Sequence, residues 1–226
     1  MPLMHAVHAV APGDVTMGAG FSGTTAPSAV TRDGAAGDLA LLDAAAVAPG
    51  LAPWVGARIG FGHDLDAGLT YGGRAVRIDG RRVFALSPTV DLSLGLGATG
   101  LLPNRNDPLA LRVGGFGGDV PVLVGWRSAG EIYSVWAGAR GGGERLRGQR
   151  ELPLDPGTPE LQRTESIAGW HSWAGGLVGL RVGFRHVFAV LEVDAAIHWA
   201  TFDIAARSAS ASTFAVAPAG ALVAKF

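Results

Sequence analysis

Residues 83–101 read V-F-A-L-S-P-T-V-D-L-S-L-G-L-G-A-T-G-L, and their alternation decides the fold class. Phe84, Leu86, Val90, Leu92, Leu94, Leu96 and Ala98 share one parity. Ala85, Ser87, Thr89, Asp91, Ser93, Gly95, Gly97 and Thr99 share the other. Successive side chains of a strand point to opposite faces of its sheet, so one face is apolar and the other small and polar. The run is far longer than an ordinary strand of about five or six residues. It suits a tilted membrane-spanning strand of about 9–11 residues that projects beyond the bilayer.

The same alternation recurs along the chain. It predicts strands at 14–24, 54–61, 65–72, 74–79, 83–101, 110–127, 132–140, 167–184 and 187–203, with a last one ending the sequence. The count is ten, with eight or twelve as alternatives. His63-Asp64, Asp79-Gly80, Ser128-Ala129-Gly130 and Arg185-His186 read as tight hairpin turns. Segments 26–53, 102–109, 141–165 and 206–212 read as longer connections; Gly72-Gly73 is the one tight link on that side. Short turns at one end and long loops at the other characterise transmembrane β-barrels, the short ones facing the periplasm. The expected fold is therefore all-β: a closed, antiparallel, up-and-down barrel forming one domain over 1–226, with 26–53 and 141–165 as its long extracellular loops. Within the first loop, 34–47 places Leu39, Leu42 and Ala46 at helical spacing and predicts a short helix.

Composition agrees. Of 226 residues, 16% are charged, against about 25% in soluble domains. Lys225 is the single lysine, where a soluble surface of this size would carry many. A net charge of −1 gives no reason to expect a nucleic-acid partner. Without cysteine there is neither a disulfide framework nor a thiolate metal site. No apolar run approaches the length of a membrane-spanning helix. Residues 1–15 lack the basic and apolar regions of a signal peptide, so the chain is read as a mature form whose signal has been removed.

Aromatics set the two interfaces. Phe61, Phe84, Trp126, Tyr133, Phe184 and Phe226 lie beside the short turns or the end of the sequence; Tyr71, Trp170, Trp199 and Phe214 lie near the long loops. Trp54 breaks the scheme, because its parity puts it inside the barrel. The tail 213–226, T-F-A-V-A-P-A-G-A-L-V-A-K-F, finishes on an aromatic with Leu222 at an alternate upstream position. With this grammar the chain resembles the small single-chain outer-membrane barrels of Gram-negative bacteria, the class of the OmpA transmembrane domain and OmpX. That resemblance implies an assembly signal at Leu222 and Phe226, with Ala224 smaller than the class prefers. It also implies residence in the bacterial outer membrane, contact with outer-membrane lipid and lipopolysaccharide, and handling by the barrel assembly machinery during biogenesis.

The residues expected on the lumen side are Arg58, Asp66, Arg77, Asp91, Arg112, Arg127, Arg140, Arg181, Glu192, Asp194 and His198. Charges of both signs in a narrow interior offset one another's desolvation when paired, which predicts a filled lumen. Glu192, Asp194 and His198 share a face and carry groups suited to acid–base or metal chemistry, but no second histidine stands at ligand spacing and no serine can be tied to them. The adjacent His171 and Ser172 fall on opposite faces. The glycine runs at 114–118 and 141–143 lead into no Lys-Ser or Lys-Thr helix start, so they carry no phosphate-loop signal. The functional expectation is a non-enzymatic structural or interaction scaffold, a component of an envelope assembly that meets protein partners through its loops or wall, with no cofactor. A small porin-like channel is the alternative, and a barrel enzyme of the omptin or lipid-modifying kind the third reading.

Overall fold

The structure is a computed structural model that describes residues 2–47, 49–103, 111–151, 164–204 and 207–226. Its strands are β1 (Val15–Asp33), β2 (Gly50–Gly62), β3 (Leu65–Gly72), β4 (Ala75–Ala85), β5 (Val90–Leu101), β6 (Leu111–Arg127), β7 (Tyr133–Glu151), β8 (Thr164–Phe184), β9 (Val187–Ile204) and β10 (Arg207–Lys225); one helix, α1 (Ala36–Ala46), follows β1. Each strand pairs antiparallel with its sequence neighbours, and β1 pairs with β10 to close the barrel. The closure is fastened at the chain's last residue: Phe226 N–H donates to Val15 O at 2.8 Å and Val15 N–H to Phe226 O at 3.1 Å.

The direction of the two faces settles what solvent the barrel is built for. On β5, Asp91 and Ser93 are 4% and 2% exposed, whereas Leu94 and Leu96 on the opposite parity are 42% and 68% exposed. The same holds elsewhere: Val55, Leu69, Ile78, Val122, Val178 and Leu191 all point outward. A soluble barrel would turn its apolar face inward; this one turns it out, as a lipid-facing wall does.

Several boundaries differ from expectation. The quoted run 83–101 is two strands. β4 continues through Asp79-Gly80, which is no turn, to Ala85, and the chain reverses at Ser87-Pro88-Thr89, where Ser87 Oγ accepts the Val90 N–H at 3.0 Å. This turn leaves Phe84 and Leu94 on the same parity, so alternation passes through it unbroken; the false turn at Asp79-Gly80 offsets the unread one here, and the total stays ten. β1 runs to Asp33 instead of ending near 24, across register shifts between Thr25 and Ser28 that take in Pro27. The first long connection is therefore 34–49, not 26–53. Likewise β7 absorbs 141–151 and β8 begins at 164, so the expected loop 141–165 is strand at both its ends; its middle, 152–163, lies outside the described residues. Gly142 is in strand because the lumen needs it small: a Cβ there would stand 2.6 Å from Trp173 Cζ2.

Among the described residues, the chain itself packs into both mouths. At the long-loop end, α1 lays Leu39, Leu42 and Ala45 onto inward-facing Val113, Leu146, Ile167, Phe202 and Ile204. At the other end, residues 2–12 pass Gly60 and enter the lumen, where Leu3, Met4 and Val7 pack with Trp54, Leu123, Trp136 and Leu177. Trp54 thus keeps the inward parity that made it an exception.

Candidate functional site: the charged lumen

Between the two closures lies a band of buried charge. Arg58 bonds both Asp66 and Asp79. Arg81 grips Asp66 with Nε at 2.7 Å and Nη2 at 3.0 Å. Arg77 donates to Asp79 at 2.5 Å and forks onto Asp119 at 2.9 and 3.1 Å, while Arg140 Nε reaches the same carboxylate at 2.7 Å. Small residues opposite make room: a Cβ on Gly97 would stand 2.5 Å from Arg77 Nη2. Four guanidinium groups and three carboxylates thereby satisfy each other, which is what makes buried charge tolerable.

The N-terminal segment is held by this wall as a bound peptide would be. Glu192, 1% exposed, accepts Leu3 N–H at 2.6 Å, Met4 N–H at 3.0 Å and Trp136 Nε1–H at 3.2 Å. Asp66 accepts Val10 N–H at 3.1 Å. Arg81 donates to Ala6 O at 2.6 Å and His8 O at 3.0 Å, and meets His5 Nδ1 at 2.8 Å. His8 Nδ1 meets Asp91 at 2.5 Å. Burial, reinforced by the neighbouring Arg58, Arg81 and Arg77, holds the His5 imidazole well below its ordinary pKa. Burial also lowers His8, although its Asp91 partner pulls the other way. A cavity of about 60 Å³ remains between the segment and the wall beside Trp54, Arg58 and Arg181.

Above the charged band, His171 bridges Glu144 at 2.7 Å and His198 at 2.9 Å, its ring stacked on His198 with 5.1 Å between centroids. Among the described residues no cluster of three or more ligating side chains could hold a metal ion.

Of the residues expected inside, Arg58, Asp66, Arg77, Asp91, Arg140 and Glu192 are buried there. Asp194, His198 and Arg181 are half-buried on the same wall, Arg181 lying over the Phe188 ring at 4.5 Å. Arg127 sits at the periplasmic lip, paired with Glu131 at 3.2 Å. Arg112 is a correction. It is exposed and shares the outward parity of Phe116 and Val120, while Val113 faces in, because β6 runs from its start to Arg127 without a bulge. Glu192 and His198 take different partners: Glu192 holds the N-terminal segment and His198 turns to His171. Asp79, Arg81, Asp119, Glu144, His171, His5 and His8 were missed. Asp79 and Arg81 carry Arg77's parity and would have been found had β4 not been cut at Asp79-Gly80.

Phe61, Tyr71, Phe84, Trp126, Tyr133, Trp170, Phe184, Trp199 and Phe226 are all exposed on the outer wall, and Phe214 is half-buried there. Leu222 and Phe226 are 64% and 73% exposed. Arginines lie over three of these rings: Arg82 over Phe84, Arg185 over Phe184 and Arg145 over Trp170.

No protein-family model matches the chain, and no curated protein matches it. Among solved structures it is similar to Neisserial surface protein A, at 10% identity and a TM-score of 0.37, over 94% of this chain and 96% of that one. It is also similar to Ail, the attachment invasion locus protein of Yersinia pestis, in complex with the heparin analogue sucrose octasulfate, at 14% identity and a TM-score of 0.32, over 95% and 99%. The Pseudomonas putida toluene transporter TodX follows at 7% identity and 0.31, over 95% and 90%. Likeness at this level carries no argument about activity. The class of the barrel rests on its own geometry: ten closed antiparallel strands, an apolar outer wall and a polar interior are the architecture of a small outer-membrane β-barrel.

Proposed function

We propose that this barrel is an integral outer-membrane protein acting as a closed, anchored scaffold, a component of an envelope assembly and not an enzyme. The observation that carries the reading is the filling of the lumen. Wall charges pair with one another, α1 covers one mouth and residues 2–12 occupy the other with their backbone groups bonded to Glu192, Asp66 and Arg81. A conduit would leave a continuous wet path, whereas here side chains and backbone pack into the bore from both ends, which supports a closed lumen. Leu222 and Phe226, exposed on the closing strand, are the surface through which assembly machinery would receive the nascent barrel. Protein partners would meet the loops or the wall.

The test is conductance in planar bilayers after detergent extraction from membranes. A closed scaffold gives a folded, heat-modifiable band and no steady conductance. A stable open channel refutes the closed lumen, and recovery without detergent refutes the anchored barrel. One observation favours a small pore as the second reading: the plug is a segment of chain rather than part of the wall, so its release would open a path.

A further inference from the structure

The outer wall carries a group of charges that the scaffold reading leaves unused. On β6, β7 and β8 the outward residues form a lattice whose rows are set by strand register. Phe116, Arg145 and Trp170 make one row, Gly114, Arg147 and Ala168 the next, and Arg112, Gln149 and Ser166 the row above. Arg112, Arg145 and Arg147 are all exposed. Arg145 and Arg147 are two apart on one strand, and Arg112 is the diagonal neighbour of Arg147, roughly 7–8 Å away. The three guanidinium groups thus share one patch. Arg145 lies over the Trp170 ring, 5.8 Å from its centroid. Gly114 and Ala168, flanking Arg147, leave its side chain uncovered.

The surroundings say what the patch lacks. Arg207, on the same end of the barrel, meets Glu165 at 3.3 Å and Asp38 at 3.4 Å. Among the described residues, Arg145 and Arg147 have no carboxylate within ion-pair distance. Asp203, one strand beyond Ala168, marks the patch's acidic edge. The position along the wall says what could supply the missing charge. Tyr133 and Arg145 are on one face of β7, twelve residues apart, or roughly 31 Å of height at a tilt of about 40°. Between them the outward face of β7 is Val135, Ala137, Ala139 and glycine, the lipid-facing band of about 25 Å. Arg145 therefore stands just above the hydrocarbon, beside a girdle tryptophan, with Arg147 and Arg112 one and two rows higher. That is the depth of lipid headgroups in the outer leaflet.

We infer that the β6–β8 wall is a binding site for a phosphorylated lipid of the outer leaflet, its phosphate oxygens taken by Arg145 and Arg147 and its acyl chains lying on the apolar wall below. Guanidinium forks match phosphate oxygens bidentately, and an arginine stacked on an indole is pre-positioned to do so. Clusters of cationic side chains beside a membrane span are a recognised means of holding anionic headgroups. The inference rests on the outer-membrane reading above and adds to it a sector of the wall, the residues that bind and the phosphate groups they recognise.

The experiment uses the full chain in detergent micelles, titrated with a bis-phosphorylated outer-leaflet glycolipid and its dephosphorylated form, and read by native mass spectrometry. The wild type should prefer the phosphorylated lipid by at least tenfold. R145Q/R147Q should lose that preference, R145K/R147K should keep part of it, and raised salt should weaken it. Because these side chains are exposed, the variants should keep the wild-type heat-modifiable band, which controls for folding. Equal binding of the two lipids by the wild type overturns the site, as does a double variant that binds like the wild type. Equal competition by the headgroup without its acyl chains overturns the lipid assignment. Membrane fractionation of the same proteins separates the two readings: a protein recovered without detergent fails as a membrane barrel, whereas an inserted barrel indifferent to phosphate fails only here.

Discussion

Glu192→Gln tests the plug with the smallest available change of shape. Both carboxylate oxygens face donors only: Leu3 N–H on one, Met4 N–H and Trp136 Nε1–H on the other. Three donors call for an accepting oxygen on each side, which the carboxylate supplies and an amide does not. A glutamine keeps one oxygen. Its better orientation holds Met4 and Trp136 and turns an NH₂ toward the Leu3 N–H, donor against donor. One bond to a charged acceptor is lost and a buried donor is left without a partner, together about 2–3 kcal/mol. At about 1.4 kcal/mol per factor of ten, the undocked population of the segment rises roughly 30- to 150-fold. The assay is amide hydrogen exchange of residues 3–10 in micelles, with bilayer conductance alongside. Exchange at Leu3 and Met4 should accelerate by that factor while β7–β9 amides, whose ladder bonds are untouched, stay protected. If Leu3 and Met4 exchange as slowly as in the wild type, Glu192 does not hold the segment. If the whole barrel loosens equally, its role is in the wall and not the plug.

Three further outcomes follow from the same geometry. Asp119→Asn leaves Arg77 and Arg140 without their shared carboxylate and should cost about 3–5 kcal/mol, as breaking one side of a buried ion pair does, seen as a lower temperature for loss of the folded gel band. Acid should loosen the plug. His5 and His8 bind protons less readily when docked than at the ordinary value near 6.5, so docking is fully supported above that pH and is lost as pH falls through the window below it. The charges facing them are Arg58, Arg77, Arg81, Asp91, Arg127 and Arg181, and exchange of residues 3–10 that does not rise between pH 6.5 and 5, after correction for intrinsic rates, contradicts this. Gly179→Ala should prevent folding or weaken it beyond the roughly 1–3 kcal/mol of ordinary overpacking, because the new Cβ would stand 2.0 Å from Trp136 Cε2; a variant with the wild-type melting temperature refutes that packing.

What was legible in the sequence was whatever repeats with period two. The burial of Arg58, Arg77 and Glu192 follows from alternation alone; the strand count, and with it the closure parity, came out at ten because the false turn at Asp79-Gly80 offsets the unread one at Ser87-Pro88-Thr89. Boundaries were not, because the Ser87-Pro88-Thr89 turn preserves parity and Asp79-Gly80 imitates a turn that the Arg77, Asp79, Arg81 and Val83 face overrides. The inward direction of the polar face was supported only indirectly, by the scarcity of lysine, until burial decided it. The plug was invisible for a different reason. Residues 5–10 read H-A-V-H-A-V, a spacing of three that matches neither a helix nor a strand. Its partners Glu192, Asp66, Arg81 and Asp91 lie 56 to 189 residues away, and no local pattern announces contacts of that range.

The plug also explains why the wall is charged as it is. A barrel of eight strands can fill its bore with side chains, but ten strands leave more room. Here Gly68, Gly97, Gly142 and Gly179 keep stretches of the inner wall bare, which lets large side chains of neighbouring strands lie flat along the wall but cannot itself fill the centre. Peptide filling the centre brings backbone donors and acceptors into a space cut off from water, and each must find a partner. An apolar wall could not supply them. Asp66 shows the solution at one residue: it takes Arg58, Arg81 and the Val10 N–H at once, so the carboxylate that neutralises the wall's arginines also holds the plug. Weakening the wall network at Asp66 should therefore release the segment as well as destabilise the barrel, whereas Glu192→Gln should release the segment alone.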